Sequence, residues 1–382
     1  MVKLSVFFLL AGVLLQGPIF AQPVELRGVW LTNVDSEVLD SREQIAEAMQ
    51  FLADHNFNVV FPVVWNDART LYPSAVMETI FDEPIDEDYE DRDPLREVVE
   101  EAHSRGLAVI PWFEYGFSAS HEKDGGMILD EKPHWAARDR KGRLLKKNGF
   151  EWMNGDHPEV RQFMIDLVTE VVRNYPVDGV QGDDRLPAQP IEGGYSEYTV
   201  ALYRSEHAGE TPPDNYRDPD WQRWRADKLN EFARSLYQRV KAIEPQVLVT
   251  WAPSIYPWSY DEYLQDWPAW LHGGYADLII PQCYRYEPAE YRMAIDELDP
   301  EVLQVEERLM RLIYPGVLMN VGDYRIAWPF LETSIRYNRQ KNFPGEVFFF
   351  YEGLRKNDDE LARRLRDSVY REKAVLPWKK VW

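Results

Sequence analysis

Two kinds of pattern alternate along this chain. Short runs nearly continuous in Val, Ile, Leu, Phe and Trp are separated by longer stretches whose apolar residues recur every three or four positions. The first kind lies at 26–34, 58–65, 107–115, 177–183, 247–253, 278–284, 316–322 and 346–352. Apolar runs without alternation mark strands buried on both faces, as in a parallel sheet. The second kind carries helix signals. Ser41 is placed to N-cap 42–55, where Ile45, Met49 and Leu52 share a face. Asp93-Pro94 opens 95–104, and Gly106 follows its end. Asp156 and Pro158 open a helix through Asn174. Helices are also predicted at 221–243, 259–271, 288–298, 329–340 and 359–370.

Eight strand–helix units predict an α/β fold, a (β/α)8 TIM barrel in a single domain over 22–382, with its core at 26–354. A doubly wound sheet is the lesser alternative, since no Gly-rich phosphate turn follows any strand. The connections after strands three and four, 116–155 and 184–220, are long. Both fall on the face where barrels carry their chemistry.

Residues 1–21 combine Lys3, an apolar run from Leu4 to Leu15 and a small residue, Ala21, before an expected cut. That is the pattern of a signal peptide. The expected location is secreted or periplasmic, with no integral membrane segment after its removal. The formal charge of −22 argues against a nucleic-acid partner. The single Cys283 excludes an intrachain disulfide and a Cys-rich zinc site.

Polar residues at strand ends are the candidates for chemistry in a barrel. Glu114 closes the third strand, Asp183 and Asp184 the fourth, and Glu352 the eighth. Paired carboxyls at one opening are what glycoside hydrolysis needs: one holds a proton for the leaving oxygen and the other stays charged. Trp30, Trp65, Trp112, Trp251, Tyr284 and Tyr351 flank the same ends and offer sugar-stacking walls. No cofactor and no metal is expected. The seven His show no metalloprotease spacing, although His121, His134 and His157 fall in or near the long third connection. Asp183, Asp184 and Glu114 also form a donor set that could hold a divalent cation, a lesser alternative.

An ordered series of segments carries a family resemblance. It includes Arg27-Gly-Val-Trp-Leu-Thr32, Glu101-Ala-His-Ser-Arg-Gly106 and Val109-Ile-Pro-Trp-Phe-Glu-Tyr-Gly-Phe117. Val177-Asp-Gly-Val-Gln-Gly-Asp-Asp184, Ile280-Pro-Gln-Cys-Tyr284 and Phe348-Phe-Phe-Tyr-Glu352 follow. Together they resemble the bacterial glycosyl-hydrolase-like family 10 proteins from about Leu26 to Leu354. The resemblance implies a TIM barrel, export to the cell envelope and hydrolysis of glycosidic bonds in a polysaccharide or oligosaccharide. In one branch the substrate is peptidoglycan glycan strands freed of peptides.

On that footing Asp183 is the anionic carboxylate, Glu114 the first choice of proton donor, Glu352 the next, and Asp184 the group that orients or tunes the pair. Asn33, Asn154, Gln282 and Tyr284 are expected to bind sugar hydroxyls, and Trp65, Trp112 and Trp251 to stack, with Tyr351 beside them. Two departures stand out. Gly182 replaces a common large aromatic, which should change the packing beneath Asp183. Gly155 replaces a proline, which should loosen the turn after Asn154. They motivate a rival reading, a barrel that binds envelope glycan without cutting it.

Overall fold

Eight parallel strands close on themselves in the computed structural model, which describes residues 22–379. The signal segment expected at 1–21 lies outside them. Leu26–Leu31 pairs with Val59–Pro62 on one side and Gly345–Phe349 on the other. Val59–Pro62 pairs with Ala108–Val109. Pro111 has no N–H to give the ladder, so the third strand breaks and resumes as Trp112–Phe113 beside Gly179–Gly182. Gly179–Gly182 pairs with Leu248–Trp251, and that strand with Leu278–Ile279. Single bridges from Ile279 to Ile313 and from Gln282 to Gly316 lead to Gly316–Leu318, which pairs with Gly345–Phe349 and completes the barrel.

The strands are shorter than the apolar runs. The sixth, read at 278–284, keeps only Leu278–Ile279 before Pro281 interrupts it. Trp65 and Asn66 leave the second strand and fold back as a hairpin on Arg69 and Thr70. Two helix starts follow their caps: Gln44 N–H donates to Ser41 Oγ at 3.2 Å, and Arg96 N–H to Asp93 Oδ1 at 3.0 Å. The third prediction needs correcting. His157 precedes Pro158–Asn174, and no side chain caps this helix. Asp156 is buried instead, accepting from Thr199 Oγ1 at 3.1 Å. The helix expected at 259–271 divides into Trp258–Tyr263 and Trp267–Gly273 at Leu264, whose backbone is left-handed. The last helix starts earlier than predicted, at Glu352, and is broken by non-helical backbone at 356–359.

The two long connections have structure of their own. The third carries a small antiparallel sheet of Ser118–His121, Lys146–Lys147 and Phe150–Trp152. The fourth carries the helix Glu197–Glu206. Among the described residues no helix is long and apolar enough to cross a membrane.

Both departures from the family pattern are compensated. At Gly182 a Cβ would lie 2.5 Å from the Trp251 ring and 2.5 Å from the Leu186 carbonyl. The fully buried Trp251 of the neighbouring strand thus packs directly against this glycine. At Gly155 a Cβ would lie 2.9 Å from the Phe117 ring, so this turn is packed rather than loose. The Gly182→Ala variant is expected to lose about 1–3 kcal/mol through overpacking. Urea unfolding checks this, and an unchanged midpoint would contradict it.

Candidate active site

Where strands three and four end, three carboxyl groups surround one guanidinium. Arg185 Nη2 lies 3.3 Å from Glu114 Oε1 and 3.1 Å from Asp183 Oδ2. Its Nη1 lies 3.1 Å from Asp184 Oδ1, and its Nε donates to the Glu114 carbonyl at 3.1 Å. The Phe150 ring covers the other face of the guanidinium at 4.5 Å. The Asp184 contact is one of charge, since Asp184 Oδ1 is buried and takes no hydrogen bond.

A polar chain extends from this cluster across the barrel. Asn66 Nδ2 donates to Glu114 Oε2 at 3.0 Å and to Asn33 Oδ1 at 2.9 Å. On the far side Gln282 Nε2 donates to Asp183 Oδ1 at 2.8 Å. The structure thereby connects Asn33, Glu114, Asp183, Asp184 and Gln282, contributed by the ends of strands one, three, four and six. Asn66 and Arg185 complete the chain. Arg185 was visible in the sequence beside Asp184, but its reach to Glu114 depends on the barrel bringing two strand ends together.

The electrostatics follow from crowding. Three carboxyls share one cation, and desolvation disfavours every charge. Burial raises the Glu114 pKa to about 7, with Arg185 pulling it down and Asp184 pushing it up. Burial, with the Asp184 charge next, also raises Asp183 well above the ordinary carboxylate range. Their exposure differs. The Asp183 side chain is 2% exposed, Glu114 20% and Asp184 28%. Burial also raises the phenol of Tyr284, with Asp183 and Asp184 adding to it, so this group remains a hydrogen-bond donor. Tyr284 stacks on Phe349 at 5.2 Å between ring centroids.

The remaining candidates lie elsewhere. Glu352 accepts from Ser36 Oγ at 2.8 Å and lines a cavity of about 610 Å³ with Asp35, Ser36, Glu47, Tyr351 and Arg355. Tyr351 is buried, and its hydroxyl accepts from Arg355 at 2.8 Å. Asn154 is buried and donates to Ser196 Oγ at 2.8 Å, holding the third connection to the fourth.

The stacking role expected of three tryptophans needs correcting. Trp65 and Trp251 are completely buried, bonded to the carbonyls of Gly116 and Tyr275, and a ring without surface cannot meet a sugar. Trp112 is 3% exposed and packs inside the barrel against Trp30 and Phe349. Exposed rings stand further out, at Tyr198, Trp258 and Tyr286 on the connections after strands four, five and six. Tyr286 lies just beyond the Gln282–Tyr284 segment, a proximity that could have singled it out.

A family model described as Glycosyl hydrolase-like 10 matches residues 25–323. Glycosyl hydrolase YngK of Bacillus subtilis is 26% identical over 92% of this chain and 73% of its own length. Glycosyl hydrolase DigH of Escherichia coli K12 is 25% identical, and the match spans 68% of this chain and 65% of DigH. The glycoside hydrolase domain of PgaB (BpsB) from Bordetella bronchiseptica superposes with a TM-score of 0.66 at 14% identity, over 90% of this chain and 98% of that domain. An α-L-fucosidase isoenzyme 2 from Paenibacillus thiaminolyticus gives 0.62 at 17% identity, over 91% of this chain and 49% of that one. These structural likenesses show the shared barrel.

The Arg185 cation favours the charged form of Glu114, so removing it should move that carboxyl higher. In Arg185→Gln the Glu114 pKa is expected above its present value of about 7. Carbon-detected NMR titration of labelled glutamate reads it, and a lower pKa would refute the bridging role.

Proposed function

Because the chain belongs to the Glycosyl hydrolase-like 10 family, we propose that it is an exported glycoside hydrolase acting on a polysaccharide of the cell envelope. Glycan strands of peptidoglycan without their peptides are the first substrate to test. The observation that carries this reading is the buried Glu114–Arg185–Asp183 cluster, in which Glu114 titrates near neutrality. A carboxyl poised there holds a proton at pH 6 and can pass it to a leaving oxygen. It also joins partial exposure to a hydrogen-bonded orientation, through Asn66.

Asp183, which burial raises well above the ordinary carboxylate range, supplies the opposing charge when a positive centre forms beside it, with Asp184 next to it. Gln282 and Arg185 aim donors at Asp183 and favour its ionised form against the cost of burial. A positive oxocarbenium-like sugar arriving at the site favours ionisation further, which makes the arrangement complementary to the transition state rather than to resting substrate. Two oxygens held at 3.3 and 3.1 Å from one nitrogen are within about 6.4 Å of each other. Glu352, bonded to Ser36 rather than to the Arg185 cluster, is the second choice of donor. Tyr284 and Gln282 stand where sugar hydroxyls would be met, and Trp258 and Tyr286 offer the exposed rings.

One observation favours the rival reading of a non-catalytic glycan-binding barrel: Arg185 holds both principal carboxyls at once. Digestion of a panel of purified glycans with product mass analysis separates the two, since a binder retains glycan and releases no fragments. In the hydrolase reading, Asp183→Asn and Glu114→Gln each lower turnover at least about 100-fold with the fold intact. Wild-type rates in both would refute the assignment. The donor works only while protonated, and its proton leaves as pH rises through about 7. Turnover is therefore expected to fall on the alkaline side of pH 7, and a profile rising to pH 9 would remove Glu114 from that role.

A further inference from the structure

Outside the carboxylate cluster, the third connection brings two imidazoles and a carboxylate together. His134 lies in the short turn Pro133–Trp135, His157 immediately precedes the helix Pro158–Asn174, and Glu159 sits in that helix's first turn. One ligating atom from each lies within 4.8 Å of those of the other two. His134 Nε2 is 2.9 Å from Glu159 Oε2, which also accepts from Trp135 Nε1 at 2.8 Å. The rings of His134 and His157 are 5.4 Å apart between centroids, nearly edge to face.

Within this group, His157 Nδ1 is buried and has no hydrogen-bond partner. A buried ring nitrogen normally finds a donor or an acceptor. The His157 ring also lines a hollow of about 440 Å³ with His134, Arg138, Ser196, Glu197 and Tyr198.

The geometry points to a binding site for a divalent transition-metal ion, zinc in the first instance, held by His134, His157 and Glu159. Two imidazoles and one carboxylate are a set that zinc accepts, with the fourth position left to water or another ligand. Around a tetrahedral ion with bonds of about 2 Å, ligand atoms stand about 3.3 Å apart. The widest pair must therefore close by at most about 1.5 Å. The side chains of His134 and Glu159, 51% and 57% exposed, can turn to do so. Zinc would replace the His134–Glu159 hydrogen bond and give His157 Nδ1 its missing partner. It would also clip the turn Pro133–Trp135 to the helix that begins at Pro158. The Trp135 carbonyl accepts from the Asn154 N–H, so the clip would tighten the segment that joins the third connection to Ser196. The inference stands apart from the hydrolase reading, because its ligands and its measurement involve no glycan.

The test uses the full exported chain, freed of metal with a chelator and titrated with zinc chloride by calorimetry and thermal melting. One zinc per chain and a rise in Tm are expected. Glu159→Gln and His134→Gln, both at surface positions, should each weaken binding at least tenfold, and His134→Gln with His157→Gln should abolish it. Cobalt(II) should give the intense visible bands of a tetrahedral site in the wild type, and these bands should be lost in the double variant. Circular dichroism confirms the fold of each variant. If His157→Gln does not fold, the two surface variants carry the test alone. No zinc bound by the wild type, or undiminished affinity in folded Glu159→Gln and His134→Gln, would overturn the site.

Discussion

One buried cation sets the terms for the mouth of this barrel. Arg185 cannot give up its proton, so three carboxyl groups can gather around it where water is scarce. Without it the cluster would be an accumulation of like charge in a poor solvent for charge. With it part of that charge is compensated: burial raises Glu114 and Asp183 together, with Asp184 adding to it, and Arg185 pulls both back down. The same arginine is also a mechanical constraint. Its carbonyl accepts from the Phe117 N–H, and it lies so close to Gly116 that no side chain fits there. Gly116 accordingly adopts a positive φ of 51°. The ends of strands three and four therefore cross at one fixed point.

Much of the architecture was legible in the sequence because it rests on local rules. Unbroken apolar runs could only be strands covered on both sides, and the stretches between them carried caps such as Ser41 and Asp93 that the structure uses as read. The strand-end acids were legible because a barrel turns position along a strand into position on a face. Asp183 and Glu114, 69 residues apart by their numbers, are joined by one side chain.

Depth was not legible. A tryptophan at a strand end satisfies the same pattern whether it looks outward or is sealed by the next layer, and Trp65 and Trp251 are sealed. Glu352 is the first residue of a helix as well as the end of a strand run, and only the structure shows its bond to Ser36. Gly182 shows the converse. A residue that looked like a loss is packed against Trp251 on the neighbouring strand, and only the register between them reveals it. Asp156 looked like a helix cap until the fourth connection supplied Thr199 to hold it.

The small sheet in the third connection makes most of its backbone bonds to itself. It is tied to the barrel mouth by the crossing at Gly116, by the Phe150 ring lying over Arg185, and by Lys147 and Asn148, which reach Glu262 and Tyr263. Such an arrangement behaves as a cassette. Its outer turns can lengthen, shorten or change composition over evolutionary time without cost to the barrel, while the points of attachment cannot drift independently. A graft that carried this cassette to another barrel would have to bring an arginine with it, or the transplanted Phe150 would cover nothing.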